Sequence, residues 1–204
     1  MMGENEDTQV DIISKDLKNI SVALCVTGGI AAIESPKIAR HLRRYGASVK
    51  AYVTKEALEF IGEKSLVWGT TNQIVKELSG KSEHICLEDI VLVAPATLNT
   101  TNKIFAGIAD NPVTALVASA LGKKIPVYLV PAMHDSLYNN PLFQKNIQNA
   151  EEYGITIIGP RISEGKAKLP KQDEIVKRII KDLANYKTST ASSNYKGACN
   201  VQTT

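Results

Sequence analysis

The chain has 204 residues, of which 44% are hydrophobic and only 5% aromatic, and its formal net charge is +3. This length predicts one domain with a core of its own and leaves little room for two. The near-balanced charge argues against nucleic-acid binding, and the lack of an apolar run of about 18 residues argues against a membrane span. The first 19 residues have no apolar segment typical of a secretory signal. The composition therefore predicts a cytoplasmic protein.

The three cysteines, Cys25, Cys86 and Cys199, form neither a disulfide framework nor a paired-cysteine metal site. A reducing compartment is the simpler interpretation of so few cysteines. Cys86 lies close to His84, but neither residue has further ligands at the spacing of a zinc site. No bound metal is predicted.

Short runs rich in valine and isoleucine recur along the chain and predict β-strands. The first, third and fourth runs are almost continuously apolar, which is typical of strands buried on both faces of a parallel sheet. The runs are Ser21–Thr27, Ser48–Thr54, Asp89–Pro95, Pro126–Ala132 and Ile155–Pro160.

Stretches with the apolar spacing of helices lie between these runs. Gly46 and Gly154 stand where such helices should end, just before a new strand. Asn111-Pro112 and Asn140-Pro141 have the form of a helix N-cap followed by the first helical residue. The predicted helix starts and ends therefore agree with the hydrophobic pattern.

Because strands and helices alternate, the predicted fold class is α/β. We expect a doubly wound, Rossmann-like or flavodoxin-like parallel sheet of five or six strands with helices on both faces. Residues 19–186 are predicted to form this domain, between an N-terminal extension, residues 1–18, and a polar C-terminal tail, residues 187–204. One alternative stays open: either Ser35 caps a helix that begins at Pro36, or an earlier helix is kinked there.

The turn after the first predicted strand carries two glycines, Gly28 and Gly29, between Thr27 and Ile30. Glycines let the backbone turn tightly and approach a ligand, and the N–H groups of a following helix start attract an anion. The turn is neither a GxGxxG fingerprint nor a Walker A loop. It is interpreted either as a phosphate site or as an ordinary connection.

Polar side chains also follow the second and third predicted strands. Thr54 stands where a nicotinamide-binding unit would have an acid, which disfavours NAD and leaves a mononucleotide open, although Thr54 could equally cap a helix. After the third strand, Thr97, Asn99 and Thr100 can hydrogen-bond a polar ligand, while the small Ala96 leaves room for it. A polar capping loop is the alternative there.

Two histidines lie near the predicted strand ends. His134 follows Met133 after the fourth strand, and His84 precedes the third strand. A histidine titrates near neutral pH and can serve as a general acid or base. Met133 can pack against a flat ring or belong to the core.

Taken in order, these motifs resemble those of the homo-oligomeric flavin-containing cysteine decarboxylases, a family that includes phosphopantothenoylcysteine decarboxylase. The similarity runs from about Ser21 to about Pro170, and the order and spacing of the motifs are more specific than any one of them. The motifs are TGGIAA, VTK, a single His, PATLNT, AGIADNPVTA, PAMH and NP.

The resemblance implies a non-covalently bound FMN, a small-molecule substrate and a homo-oligomer, either a trimer or a dodecamer of trimers with FMN at a subunit contact. It also implies which residues of this chain form the site. For FMN binding these are Thr27, Gly28, Gly29, Ile30, Thr54, Ala96, Thr97, Asn99, Thr100 and Met133, and for catalysis they are His84 and His134.

Two departures from the family pattern affect the predicted reaction. His134 replaces an asparagine that contacts the substrate carboxylate region in the decarboxylases. The stretch Ser163–Pro170 has no cysteine, whereas decarboxylases that make the coenzyme A precursor carry a flap cysteine that acts on the enethiolate intermediate. Both departures resemble an archaeal branch of flavoproteins linked to ferredoxin-type donors or to dihydromethanopterin reduction.

The main functional prediction is therefore an FMN-dependent oxidoreductase or electron-transfer protein with a substrate or an electron donor such as ferredoxin. In that hypothesis His84 protonates or tunes the reduced flavin, and His134 faces the substrate or donor. The alternative is an FMN-dependent decarboxylase of phosphopantothenoylcysteine or a related cysteinyl substrate. A non-catalytic FMN carrier is the second alternative.

Overall fold

The structure, a computed structural model, describes the backbone of residues 6–196 and the side chains of residues 7–185. Strands and helices alternate within that range. The strands are β1 (Ser21–Val26), β2 (Ser48–Val53), β3 (Ile90–Ala96), β4 (Val127–Pro131), β5 (Met133–His134), β6 (Ile155–Ile157), β7 (Arg161–Ser163) and β8 (Lys166–Lys168). The helices are α1 (Ser35–Arg44), α2 (Glu63–Thr70), α3 (Leu98–Phe105), α4 (Pro112–Gly122), α5 (Asp135–Tyr138), α6 (Pro141–Gln148) and α7 (Gln172–Lys196).

The main sheet is parallel and has the strand order β2-β1-β3-β4-β6. This order is flavodoxin-like, and it reverses direction between β1 and β3. The five predicted strands are those of this sheet, with small differences at their ends. The predicted α/β fold class is confirmed.

The sheet is buried on both faces because neighbouring residues of each strand point to opposite sides. Leu24 of β1 joins an apolar cluster with Ile38 of α1 and Ile175 of α7. The next residue, Cys25, joins a second cluster on the other face with Leu116 of α4. Burial of each large apolar side chain contributes about 1.5–3 kcal/mol, so this arrangement explains the continuous apolar runs.

Both segments predicted to flank the domain contain buried or regular structure within the described range. Leu17, in the segment predicted as an extension, is fully buried, and its N–H donates to the carbonyl of Tyr45 at 2.9 Å. Helix α7 continues to Lys196, inside the segment predicted as a polar tail, while residues 197–204 lie outside the described range. None of the described helices, α7 included, is long and apolar enough to cross a membrane.

Helix starts follow the predicted caps, with one difference. Asn111 and Asn140 each accept N–H bonds from the first turn of α4 and α6. Helix α1 instead begins at Ser35 directly after a 3₁₀ turn, Ile30–Glu34, so Pro36 lies in its first turn. Ser35 does not cap the helix, because its hydroxyl is buried and donates to the Ala94 carbonyl at 3.1 Å.

A second, antiparallel sheet has the strand order β5-β8-β7 and was not predicted from the sequence. The β7–β8 hairpin turns at Glu164 and Gly165, both of which have positive φ. Strand β8 pairs with β5, where Met133 faces Ala167 and His134 faces Lys166. The small sheet therefore places the hairpin beside the segment that follows β4.

The packing of α2 on α1 depends on a glycine. A Cβ at Gly69 would lie 2.9 Å from both the Cα and the carbonyl oxygen of Pro36. We expect Gly69→Ala to lower the free energy of unfolding by about 1–3 kcal/mol, because the backbone must shift. Gly122→Ala is the matched control, since no atom lies within 4 Å of its added Cβ. Urea unfolding measures both, and equal stabilities would contradict the prediction.

Candidate active site

A cleft of about 900 Å³ opens at the carboxyl ends of the parallel strands. It is lined by the turns that follow β1, β2 and β3, by the β5 segment and by the β7–β8 hairpin. This is the edge at which the strand order reverses, where ligands bind in open α/β sheets. The cleft is therefore the candidate active site.

A buried hydroxyl joins the ends of β1 and β3 beneath the cleft. Thr27 is fully buried, and its Oγ1 donates to the carbonyl of Pro95 at 2.7 Å. The same Oγ1 accepts the N–H of Thr97 at 3.1 Å. Thr97 in turn caps α3, because its Oγ1 accepts the N–H of Thr100 at 3.4 Å. These bonds fix where helix α3 begins relative to the turn after β1.

The first turn of α3 offers hydrogen-bond donors to a ligand. Leu98 and Asn99 occupy its first two positions and line the cleft, and N–H groups at these positions have no acceptor within a helix. The positive end of the helix dipole also favours an anion there. A phosphate and a polar ring edge both fit this set of donors.

The turn after β1 lies close to the turn after β2. A Cβ at Gly28 would lie 2.4 Å from Cβ of Glu56, so only glycine permits this approach. Thr54 is buried and its Oγ1 accepts the N–H of Ala57 at 3.3 Å, while the residue also lines the cleft. Thr54 therefore caps the short helix Lys55–Glu59 and borders the cleft at the same time.

His134 stands at the rim of the cleft and contacts Ser136. Its Nδ1 accepts the N–H of Ser136 at 3.3 Å and lies 3.0 Å from the Ser136 hydroxyl. A neutral ring with an acceptor Nδ1 carries its proton on Nε2. His134 thus has an N–H donor on Nε2, opposite Lys166 in the pairing of β5 with β8.

Both acidic and basic residues line the cleft. Glu34 and Glu56 come from the end of the 3₁₀ turn before α1 and from the turn after β2, whereas the basic residues come from the hairpin and the segment just before α7. Lys168 pairs with Glu164 on the hairpin, and this ion pair lowers the pKa of the Glu164 carboxyl. The basic residues suit a substrate with a carboxylate. The cleft residues that carry this charge are Arg161, Lys166, Lys168 and Lys171.

Most of the predicted site residues meet in this cleft. Thr27 and Ala96, also predicted to bind FMN, do not line it, since both are fully buried at the ends of β1 and β3. Sequence reasoning missed Glu34, Glu56 and Gln172, which carry no motif signal and reach the cleft only through the fold. The predicted residues that line it are Gly28, Gly29, Ile30, Thr54, Thr97, Asn99, Thr100, Met133 and His134.

His84 is the exception, because it does not line the cleft of its own chain. It lies in the exposed loop before β3, and this loop packs on α4. The Ser119 hydroxyl accepts the Cys86 N–H at 3.0 Å, and Lys123 Nζ donates to the Cys86 carbonyl at 2.7 Å. Buried Glu88 accepts the hydroxyl of Tyr52 at 2.8 Å. Burial and this bond raise the pKa of Tyr52 well above its usual value.

The described residues contain no cluster of three or more histidine, cysteine, aspartate or glutamate side chains that could hold a metal ion. Both cysteines in this part of the chain, Cys25 and Cys86, are buried thiols. Burial raises the pKa of the Cys86 thiol to about 11, so it stays protonated near neutral pH.

Comparison with curated proteins gives relatives named for coenzyme A biosynthesis or as phosphopantothenoylcysteine decarboxylases. The Coenzyme A biosynthesis bifunctional protein CoaBC of Thermococcus kodakarensis is 40% identical over 177 residues, covering 83% of this chain and 44% of the relative. The chain thus spans less than half the length of that relative. A probable phosphopantothenoylcysteine decarboxylase of Streptococcus mutans is 31% identical over 176 residues, covering 79% of this chain and 98% of the relative.

Solved structures agree with these relatives. A cysteine-to-serine mutant of PPC decarboxylase complexed with pantothenoylaminoethenethiol is 26% identical, with a TM-score of 0.63, and the match covers 78% of this chain and 96% of that one. The FMN-dependent cysteine decarboxylase SpaF shares the fold, with 24% identity and a TM-score of 0.70, over 81% of this chain and 98% of that one.

These comparisons correct the functional prediction. The expected oxidoreductase or electron-transfer activity is contradicted, because relatives that match most of this chain are named as decarboxylases, and nothing in the comparisons supports a ferredoxin donor. The replaced asparagine and the missing cysteine led to the wrong reaction class. The predicted cofactor, FMN, is confirmed. A model of the family described as Flavoprotein matches residues 11–184, and the chain belongs to this family.

Proposed function

We propose that the protein is an FMN-dependent decarboxylase that removes the carboxyl group of phosphopantothenoylcysteine. One observation carries the proposal: the residues of the TGGIAA, PATLNT and PAMH motifs meet in one cleft under a basic hairpin. The names of the relatives support the reaction class. The cysteinyl carboxylate supplies the negative charge that the hairpin lysines attract.

The cleft fits FMN at its inner end. The N–H groups of Leu98 and Asn99 and the hydroxyl of Thr100 would hold a phosphate or the polar edge of the ring. Gly28 and Gly29 have no side chains, so a flat ring could approach their backbone closely. When bound, FMN supplies reversible two-electron oxidation of the substrate thiol end.

The outer end of the cleft would bind the cysteinyl group. Lys166 and Arg161 attract its carboxylate, and Met133 offers a soft apolar surface between that group and the ring. The hairpin lines this end of the cleft, and exclusion of water by bound substrate and hairpin would strengthen these charge interactions. The chain's own residues thus orient the bond that breaks.

Overall, the bond between the α-carbon and the carboxyl breaks, carbon dioxide leaves and carbon takes up a proton, so no external oxidant or reductant is consumed. The hairpin has no cysteine to deliver that proton. His134 lies where the family pattern has an asparagine, with its donor on Nε2 at the rim of the cleft. We infer that His134, as an imidazolium, supplies the proton from Nε2 and is left as the neutral ring.

Incubation of the purified yellow protein with phosphopantothenoylcysteine tests this function. We expect a product whose mass has fallen by one carbon dioxide, measured by mass spectrometry. An unchanged mass contradicts the function. A product lighter by a further two hydrogen atoms supports decarboxylation but contradicts His134 as the proton donor, because the oxidised product would then have left the protein without being protonated and reduced.

The Gly28 turn provides a test of the FMN site. A Cβ there would meet Cβ of Glu56 at 2.4 Å and its carbonyl carbon at 2.9 Å. We expect Gly28→Ala to raise the dissociation constant of FMN at least about tenfold, or ~1.4 kcal/mol, because the two turns must separate. Flavin fluorescence titration measures this. Gly62→Ala, whose added Cβ meets nothing within 4 Å, is the control, and equal FMN affinity in both variants would show that the site lies elsewhere.

We further infer a homotrimer in which the His84 loop of one copy covers the cleft of its neighbour. The loop exposes Leu87, at 81%, beside His84, and the rim of the cleft exposes Ile30, at 71%. A loop on one side and a cleft on another make a head-to-tail contact, and such contacts close into rings. Both apolar surfaces would then be buried.

Subunit complementation tests the shared site. Gly28→Ala chains lack a normal flavin turn, and His84→Ala chains lack the loop histidine, so each homo-oligomer should have little activity. Co-expression should restore activity, because a mixed contact can join an intact cleft to an intact His84. Decarboxylation by co-purified oligomers measures this. If the mixture is no more active than either parent, His84 does not act across a contact.

A further inference from the structure

A second cavity, of about 650 Å³, lies beside the cleft on the outer face of α1. The segment before β1 forms one wall through Gln9 and Asp11, and Trp68 of α2 forms another. Its floor is basic. The floor residues are Lys37, Arg40, His41 and Arg44.

The basic residues form a stripe along one helix face. Lys37, Arg40 and Arg44 follow one another at spacings of three and four residues, which places them on the same side of α1. With a rise of 1.5 Å per residue, the stripe extends about 10 Å from its first to its last member. Asp11 is the acidic residue that lines the cavity. Lys37 is paired with Glu34 and His41 lies against Asp173, so the positive charge of the cavity is mainly that of Arg40 and Arg44.

The arginine charges are not neutralised by carboxylates. Arg40 donates to the carbonyl of Gln9 at 2.9 Å, and Arg44 Nε donates to the carbonyl of Asp11 at 3.3 Å. Neither arginine forms an ion pair with any residue that the structure describes. Neutral carbonyls use only part of the five donors of a guanidinium, so the charge and the remaining donors are left for an anion.

The cavity is joined to the cleft through a shared polar contact. Gln172 lines both, and its Nε2 donates to Glu34 at 3.0 Å. Glu34 lines the cleft and pairs with Lys37 of the cavity floor at 3.2 Å. The Glu34–Gln172 contact therefore lies between the cleft and the second cavity, and Lys37 is the cavity residue next to it.

We propose that this cavity binds the phosphate group at the far end of the substrate while the cysteinyl end reacts in the cleft. This inference rests on the proposed function. Phosphopantothenoylcysteine carries a carboxylate at one end, a phosphate monoester at the other and an uncharged chain between them. The basic residues of the hairpin would attract the carboxylate, and the guanidinium of Arg40 has the planar set of donors that matches the phosphate.

The only tryptophan of the chain reports on the cavity directly. The guanidinium carbon of Arg40 lies 4.2 Å from the centre of the Trp68 ring, and Trp68 is 40% exposed. A phosphate that draws on Arg40 changes the surroundings of this ring. Tryptophan fluorescence therefore measures binding in the full chain without any turnover.

The binding experiment compares three probes. We expect 4′-phosphopantetheine, the product that loss of carbon dioxide would give, to change Trp68 emission with saturation, and pantetheine to bind about tenfold more weakly or less. Equal affinities for these two probes overturn the proposal. If inorganic phosphate alone binds as tightly as 4′-phosphopantetheine, the cavity is a free-anion site and the proposal is also overturned.

Kinetics of variants with substituted cavity residues test where the substrate phosphate binds. Lys37→Gln and Arg40→Gln should each raise KM for phosphopantothenoylcysteine, the latter about tenfold, and should leave KM for pantothenoylcysteine unchanged. Lys145→Gln removes an exposed charge of α6 that lines neither cavity, and it should alter neither KM. The Lys37→Gln substitution is the one least expected to disturb folding, because the Lys37 side chain is 66% exposed.

Two outcomes separate this inference from the proposed function. Loss of carbon dioxide with no change of KM in the Lys37 and Arg40 variants keeps the decarboxylase and overturns the phosphate site. The same conclusion follows if only Lys166→Gln changes the ratio of KM for phosphopantothenoylcysteine to KM for pantothenoylcysteine. Specific binding of 4′-phosphopantetheine at Trp68 without any loss of carbon dioxide keeps the phosphate site and removes the decarboxylase.

Discussion

The hydroxyl of Thr27 holds together the two strand ends on which the cleft depends. The pairing of β3 with β4 shifts register between Val93 and Ala96, so the end of β3 leaves the regular ladder. Thr27 Oγ1 accepts the N–H of Thr97 and donates to the carbonyl of Pro95, within the core. A buried carbonyl left without such a donor costs about 1–3 kcal/mol. The turn after β1 and the start of α3 therefore share one hydrogen-bonded unit.

Patterns that reflect burial were sufficient to predict the main sheet, because its strands are covered on both faces. The β5-β8-β7 sheet could not be predicted in this way. Its strands have two or three residues, and only Ala167 of β8 is buried, so no alternation of apolar and polar residues marks them. Leu17 shows a related limit, because Ile12 and Ile13 of the same segment are exposed, so an apolar side chain there does not by itself indicate burial.

The strand-end residues of the candidate site were predictable for a topological reason, whereas its other wall was not. Carboxyl ends of parallel strands meet at one edge, which brought Gly28, Thr97 and Met133 into one cleft. Glu34 and Gln172 are 138 positions apart and meet only through the packing of α7 beside α1. His84 matches a family motif but lies on a loop held by α4, so a motif can name a functional residue without placing it.

Replacement of individual site residues is a weak guide to reaction class, and the charges of this chain show why. An enzyme reaction depends on how the substrate is oriented as much as on one acid or nucleophile. Losing the flap cysteine removes one proton donor, but the hairpin keeps Lys166 and Lys168 beside the cleft. An extended substrate with an anionic group at each end is oriented by its two ends. The hairpin cations and the stripe from Lys37 to Arg44 lie on either side of the Glu34–Gln172 contact. In the proposed function, this separation of positive charge suits a long substrate with an anion at each end.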